Sequence, residues 1–117
     1  MANLHGIFHL ELAGQQRELK CNFSVVERLE RQVFKRPIME VLNSSINGAI
    51  NITEIVDTIY VGLEANKDTR LSRDEIGQEV MQKGAVNFVE WYLQFLTYAI
   101  TGQVDLDAQP ADDDKKK

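Results

Sequence analysis

Hydrophobic and polar residues alternate at the start of the chain. Phe8, Leu10 and Leu12 point one way while His9 and Glu11 point the other, as in a half-buried strand. After a turn around Ala13-Gly14-Gln15-Gln16 the pattern resumes, with Leu19, Cys21 and Phe23 on one face and Glu18, Lys20 and Asn22 on the reverse. These two runs predict a hairpin over residues 6–23. From Ser24 the period lengthens to that of a helix. Ser24-Val25-Val26-Glu27 fits a capping box, and Val26, Leu29 and Val33 supply the buried face of a first helix that ends before Pro37. Pro37 is placed to open a second helix at its first position, where the missing N–H costs nothing. Ile38, Val41 and Leu42 turn inward and Gly48 stops it. Ile52, Ile55, Val56, Ile59, Tyr60 and Leu63 give the cleanest amphipathic pattern, for a third helix starting near Thr53. Ser72-Arg73-Asp74-Glu75 is a second capping box, leading a short helix that buries Ile76 and Val80 and ends at Gly84.

The last helix is the most apolar segment, since Val86 to Ile100 carries a single charge, Glu90. Ala85, Phe88, Val89, Tyr92, Leu93, Leu96, Ala99 and Ile100 form one broad stripe. Trp91, Phe95 and Tyr98 follow i, i+4, i+7 on an adjacent face and widen the apolar arc to about 240°, against the roughly 100° a surface helix needs. Such a helix meets two neighbours. Two readings of the second stripe stand side by side: it is covered by other parts of the same chain, or Trp91, Phe95 and Tyr98 form a protein-interaction surface, because aromatics dominate interfaces. A membrane span needs about 20 apolar residues. This run stops earlier, at Thr101-Gly102, with Asp105 and Asp107 just beyond.

The fold class that follows is α+β, mostly α, with an N-terminal two-stranded β-hairpin packed on a bundle of about five helices. Residues 1–102 form a single globular domain, hairpin 6–23 and helices 24–101. An isolated hairpin is marginal, so its inward face, Phe8, Leu10, Leu12, Leu19, Cys21 and Phe23, is expected to pack on the first and last helices. Residues 103–117, poor in apolar side chains after Val104 and Leu106 and ending in DDDKKK, are expected to form a disordered tail.

Composition narrows the function. The 117 residues, 44% hydrophobic, suffice for one domain with a real core. A net charge of −5 argues against general nucleic-acid binding, which favours a basic surface. The start of the chain lacks a secretory pattern and Cys21 is the lone cysteine, both pointing to a reducing compartment, the cytoplasm. Asn22, Asn43 and Asn51 therefore match a glycosylation pattern by accident. Cys21 is expected in the core, turned away from any catalytic role.

Catalytic patterns are missing. His5 and His9 sit in or before a strand, where their spacing separates them by about 13 Å. No nucleophile elbow, phosphate loop or zinc spacing is present, and the expectation is a protein that is not an enzyme and carries no cofactor or metal. Asn66 and Asp68 suggest the opening of a calcium loop, but Arg70, Leu71 and Gly77 stand where a ligand, the turn glycine and the bidentate glutamate belong. Arg28, Arg31, Lys35 and Arg36 follow helical spacing, interleaved with Glu27 and Glu30, as on a solvated face.

Taken as a whole, the order of elements resembles a known family. The hairpin IFHLELAGQQRELKCNF, then SVVERLERQV, PIMEVLN, ITEIVDTIYVGLEAN, LSRDEIGQEVMQKG and a final aromatic helix are similar to the tail tube assembly chaperones of the gene-transfer-agent type. The likeness spans roughly Gly6 to Gly102 and rests on element order and on pieces such as SVVERLE, YVGLEAN and LSRDEIGQ. It implies a phage or prophage tail morphogenesis factor, a non-catalytic chaperone that keeps the tape measure protein, and/or the tail tube protein, soluble during assembly. Such chaperones are often made in short and long forms by frameshifting, and Lys115-Lys116-Lys117 is compatible with a slippery codon run. Two alternatives are a structural tail tube component, which needs more strands than one hairpin supplies, and a small helical regulator binding nucleic acid through the basic run. An exposed aromatic stripe serves a homo-oligomer equally well.

Overall fold

The computed structural model describes residues 6–103. Strands β1 (Ile7–Leu12) and β2 (Gln15–Lys20) pair antiparallel, with Leu12 opposite Gln15 and Phe8 opposite Leu19. The two turn residues, Ala13 and Gly14, have φ of 53° and 77°. Positive φ at both central positions is the tight hairpin turn whose twist matches that of the strands. The pairing continues one step past the strands, where the Cys21 amide donates to the Gly6 carbonyl at 2.8 Å. Phe8, Leu12, Leu19 and Cys21 are buried as expected, and Leu10 is partly so.

Phe23 departs from that alternation and stands 78% exposed. The reason is local. Asn22, extended at φ −131°, caps helix α1 (Phe23–Arg28), its side chain accepting the Val25 amide at 3.0 Å. The helix thus starts before Ser24, which is not the cap, and Phe23 is its first residue rather than the last of a strand. After Arg28 the coil widens into a π-helical turn, Leu29–Phe34. Its i→i+5 spacing changes the buried set from Val26, Leu29 and Val33 to Val25, Leu29 and Phe34. Lys35 then turns left-handed at φ 56°.

Pro37 precedes helix α2 (Ile38–Ile46) as its cap rather than its first residue, with ψ of 139°. Proline has no side-chain oxygen to offer the first amide. Glu30 supplies one from the π-helical turn, accepting the Ile38 N–H at 2.8 Å. Helix α3 (Ile52–Ala65) is the centre of the molecule, with Ile55, Val56, Thr58, Ile59, Val61, Gly62 and Leu63 all buried. It touches β2, α1, the π-helical turn and α5, and also α4 (Arg73–Lys83). Ser72 and Glu75 form the predicted capping box of α4, with Ile76 and Val80 inside.

The hairpin sits chiefly on α3 rather than on the first helix. A Cβ at Gly62 would lie 3.1 Å from the Leu19 Cβ, so the absent side chain is what lets β2 lie flat on that helix. A 3₁₀ turn, Ala85–Phe88, leads into helix α5 (Val89–Thr101), which Gly102 ends at φ 78°. The last helix therefore starts at Val89, and Val86 is exposed. The architecture is α+β, mostly α: among the described residues, one hairpin and five α-helices around a common core. No helix of the described residues is long and apolar enough to cross a membrane. Apart from Gln103, the predicted tail lies outside the described residues, as does His5.

Candidate interaction surface

Of the two readings of the aromatic stripe, cover by the same chain and a partner-facing surface, the first holds for Trp91 and Phe95, which are core residues with 9% and 0% exposure. What covers them is the hairpin. The Phe8 ring lies 6.4 Å from Trp91, 5.0 Å from Phe95 and 5.7 Å from Tyr98, centroid to centroid, and Trp91 and Phe95 are 5.1 Å apart. These separations suit favourable edge and tilted aromatic packing. The stripe is thus buried within the chain, and the three residues do not form a docking face together. The Trp91 Nε1 donor has no hydrogen-bond partner among the described residues.

Tyr98 is different. It sits at the end of the stripe, half-buried, and with Ala99 and Gly102 forms one wall of a groove of ≈ 320 Å³. Phe23 and Val26 of α1 form the other wall, with Cys21 at the floor of the lining. This groove holds the most exposed large aromatic among the described residues, Phe23. Sequence reasoning assigned Phe23 to the hairpin core. The signal that would have found it is Asn22, a strong N-cap residue, which ends the strand before position 23.

The polar constellations are internally satisfied. Arg28 bonds Glu64 at 2.6 Å and lies over the Tyr60 ring at 5.8 Å, Arg31 pairs with Glu27 at 3.6 Å, and Arg36 with Glu54 at 3.5 Å. The π-helical turn and the left-handed Lys35 also break the spacing that would have lined these cations up on one face. Donation from Arg28, with that from Tyr60, holds the Glu64 carboxyl below its ordinary range. On the strand, His9 faces Glu18 at 3.6 Å.

Asp68, in the segment whose sequence fails the calcium-loop pattern, is occupied by two guanidiniums. Arg70 donates to it from Nε and Nη2, each at 3.0 Å, and Arg17 from Nη1 at 3.1 Å. The Arg70 bonds, with help from its backbone and from Arg17, hold this carboxyl far below the usual carboxylate range. Among the described residues no three His, Cys, Asp or Glu side chains cluster as a metal site. Burial pushes the Cys21 thiol up to about 12, which leaves it protonated and a poor nucleophile.

Comparison of the chain with known protein families, with curated proteins and with solved structures found no match.

Proposed function

We propose that this protein is a non-catalytic assembly factor of a phage or phage-like tail, a chaperone that holds the tape measure protein and/or the tail tube protein while the tube forms. The resemblance in element order suggests the process. The surface is suggested by one observation: Phe23, 78% exposed, overhangs an apolar groove whose far wall is Tyr98 and Ala99. A large aromatic placed in water at a groove edge is the kind of anchor on which helix-in-groove recognition depends. The hairpin is the whole of the β structure among the described residues, which favours a holder over a tube subunit built from β-sandwiches.

Co-expression with the tape measure protein from the same genome, followed by pull-down, tests this reading. The wild type is expected to recover soluble tape measure protein, and Phe23→Ser to lose it with unchanged circular dichroism. Retention by Phe23→Ser, or no capture by the wild type, overturns the assignment of that groove or of the partner, respectively.

A further inference from the structure

We propose that the Phe23 groove is covered in the free protein by the chain's own next segment, Val104 to Leu106, which an incoming partner has to displace. The contact itself does not depend on the function proposed above; its competition with a partner rests on that reading.

The way the chain leaves the last helix selects this occupant. Gly102, left-handed at φ 78°, ends α5 and is itself one of the residues lining the groove. Its N–H donates to the Tyr98 carbonyl at 2.8 Å, and the next amide, that of Gln103, donates to the Thr101 hydroxyl at 3.0 Å. Gln103 is half-buried, so the chain past the helix stop still lies against the body of the protein. Val104 follows directly on that fixed point. Leu106, four residues past Gly102, reaches about 13 Å when the chain is extended at about 3.3 Å per residue. Packed helices stand about 8–10 Å apart, so this reach carries the segment from the α5 wall to Phe23 and Val26 on α1.

Side-chain chemistry agrees. Val104 and Leu106 are the large aliphatic residues of 103–117, spaced i, i+2, with Asp105 between them and Asp107 after. Extended, such a run turns both alkyl groups to one face and both carboxylates to the other. Among the described residues the groove's lining carries no charged side chain, so the alkyl face enters while the carboxylates stay in water. Phe23, 78% exposed, gains a cover. Tethering favours this segment over a second copy, because a short linker holds its segment at an effective concentration in the millimolar range, against roughly micromolar for a free chain. The chain before Gly6 also leaves near Tyr98, whose ring a Cβ at Gly6 would approach to 3.3 Å, and the test separates the two.

The test uses the full chain, methyl-labelled for NMR. Cross-peaks from the Val104 and Leu106 methyls to the Phe23 and Tyr98 ring protons are expected. Their absence overturns the contact, as do cross-peaks from Leu4 in their place. So do cross-peaks that pass between molecules in a mixture of labelled and unlabelled chains, which would assign the groove to a second copy. An anilinonaphthalene sulfonate dye reads the uncovered groove. Val104→Ser with Leu106→Ser is expected to raise its fluorescence severalfold at unchanged circular dichroism, and adding Phe23→Ser to return it to the wild-type level. A rise that persists without Phe23 overturns the contact. In the tape measure pull-down the Val104→Ser/Leu106→Ser chain is expected to capture more than the wild type, and equal capture overturns the competition. No capture by either chain, with the cross-peaks present, refutes the proposed partner and leaves the contact established.

Discussion

Arg17 occupies the inner face of the hairpin, opposite Leu10, where an alkyl side chain would be the ordinary choice. Its side chain is only 5% exposed, yet it is satisfied: Nε donates to the Leu12 carbonyl at 3.1 Å and Nη1 to Asp68. Asp68→Asn leaves this guanidinium buried without its counter-charge, and breaking such a pair costs on the order of 3 kcal/mol. Urea unfolding at neutral pH checks that. The pH dependence follows from the sign of the shift. The folded-state pKa of Asp68 is depressed, so its contribution is present above the unfolded value near 3.8 and is lost as pH falls below it. Acid should therefore lower the thermal midpoint of the wild type more steeply than that of Asp68→Asn. Cys21 shifts the other way. Its contribution is complete below the ordinary thiol value of 9.0 and declines as pH rises towards about 12. At pH 8 a thiol reagent should label it only at the rate at which the protein opens. The inward place of Cys21 was legible from alternation alone. The role of Arg17 was not, because its partner lies in a loop far along the chain that strand periodicity does not reach.

At the scale of elements, α3, α4 and the Gly102 stop were legible because apolar spacing and capping residues agree there. The start of α1 and the π-helical turn were not. A cap at Asn22 and one widened turn moved the buried positions to Val25 and Phe34, and no fixed-period template anticipates either. The packing of the hairpin on the last helix was expected and is present, but its seating on α3 was hidden, since it depends on a glycine meeting a leucine across the core. Gly62 and Gly77 make a matched pair for measurement. Alanine at either site should gain up to about 1 kcal/mol in helix propensity. At Gly62 the new methyl meets Leu19, and overpacking of this kind costs about 1–3 kcal/mol. Gly62→Ala is thus expected to lower the thermal midpoint and Gly77→Ala to raise it.

For the whole molecule, the fold class was legible and the cover of the aromatic stripe was not. Periodicity measures how wide an apolar arc is, but it does not say which part of the chain lies against it. On α5 the cover is Phe8 of the hairpin, so Trp91→Ala with Phe95→Ala should act on stability rather than on binding alone. Each truncation of a buried aromatic costs about 3–5 kcal/mol, comparable to much of a small domain's stability. Loss of the helical circular dichroism signal is the expected outcome.

The contact between Phe8 and α5 also joins nearly the first described residues to the last. During synthesis the hairpin leaves the ribosome early, with its aromatic face unmatched until the final helix emerges. The native core can close only once α5 is out. A chain halted before Val89 is expected to leave Phe8 without its cover even with Leu19 seated on α3, so that the closing of the hairpin's aromatic end waits on α5.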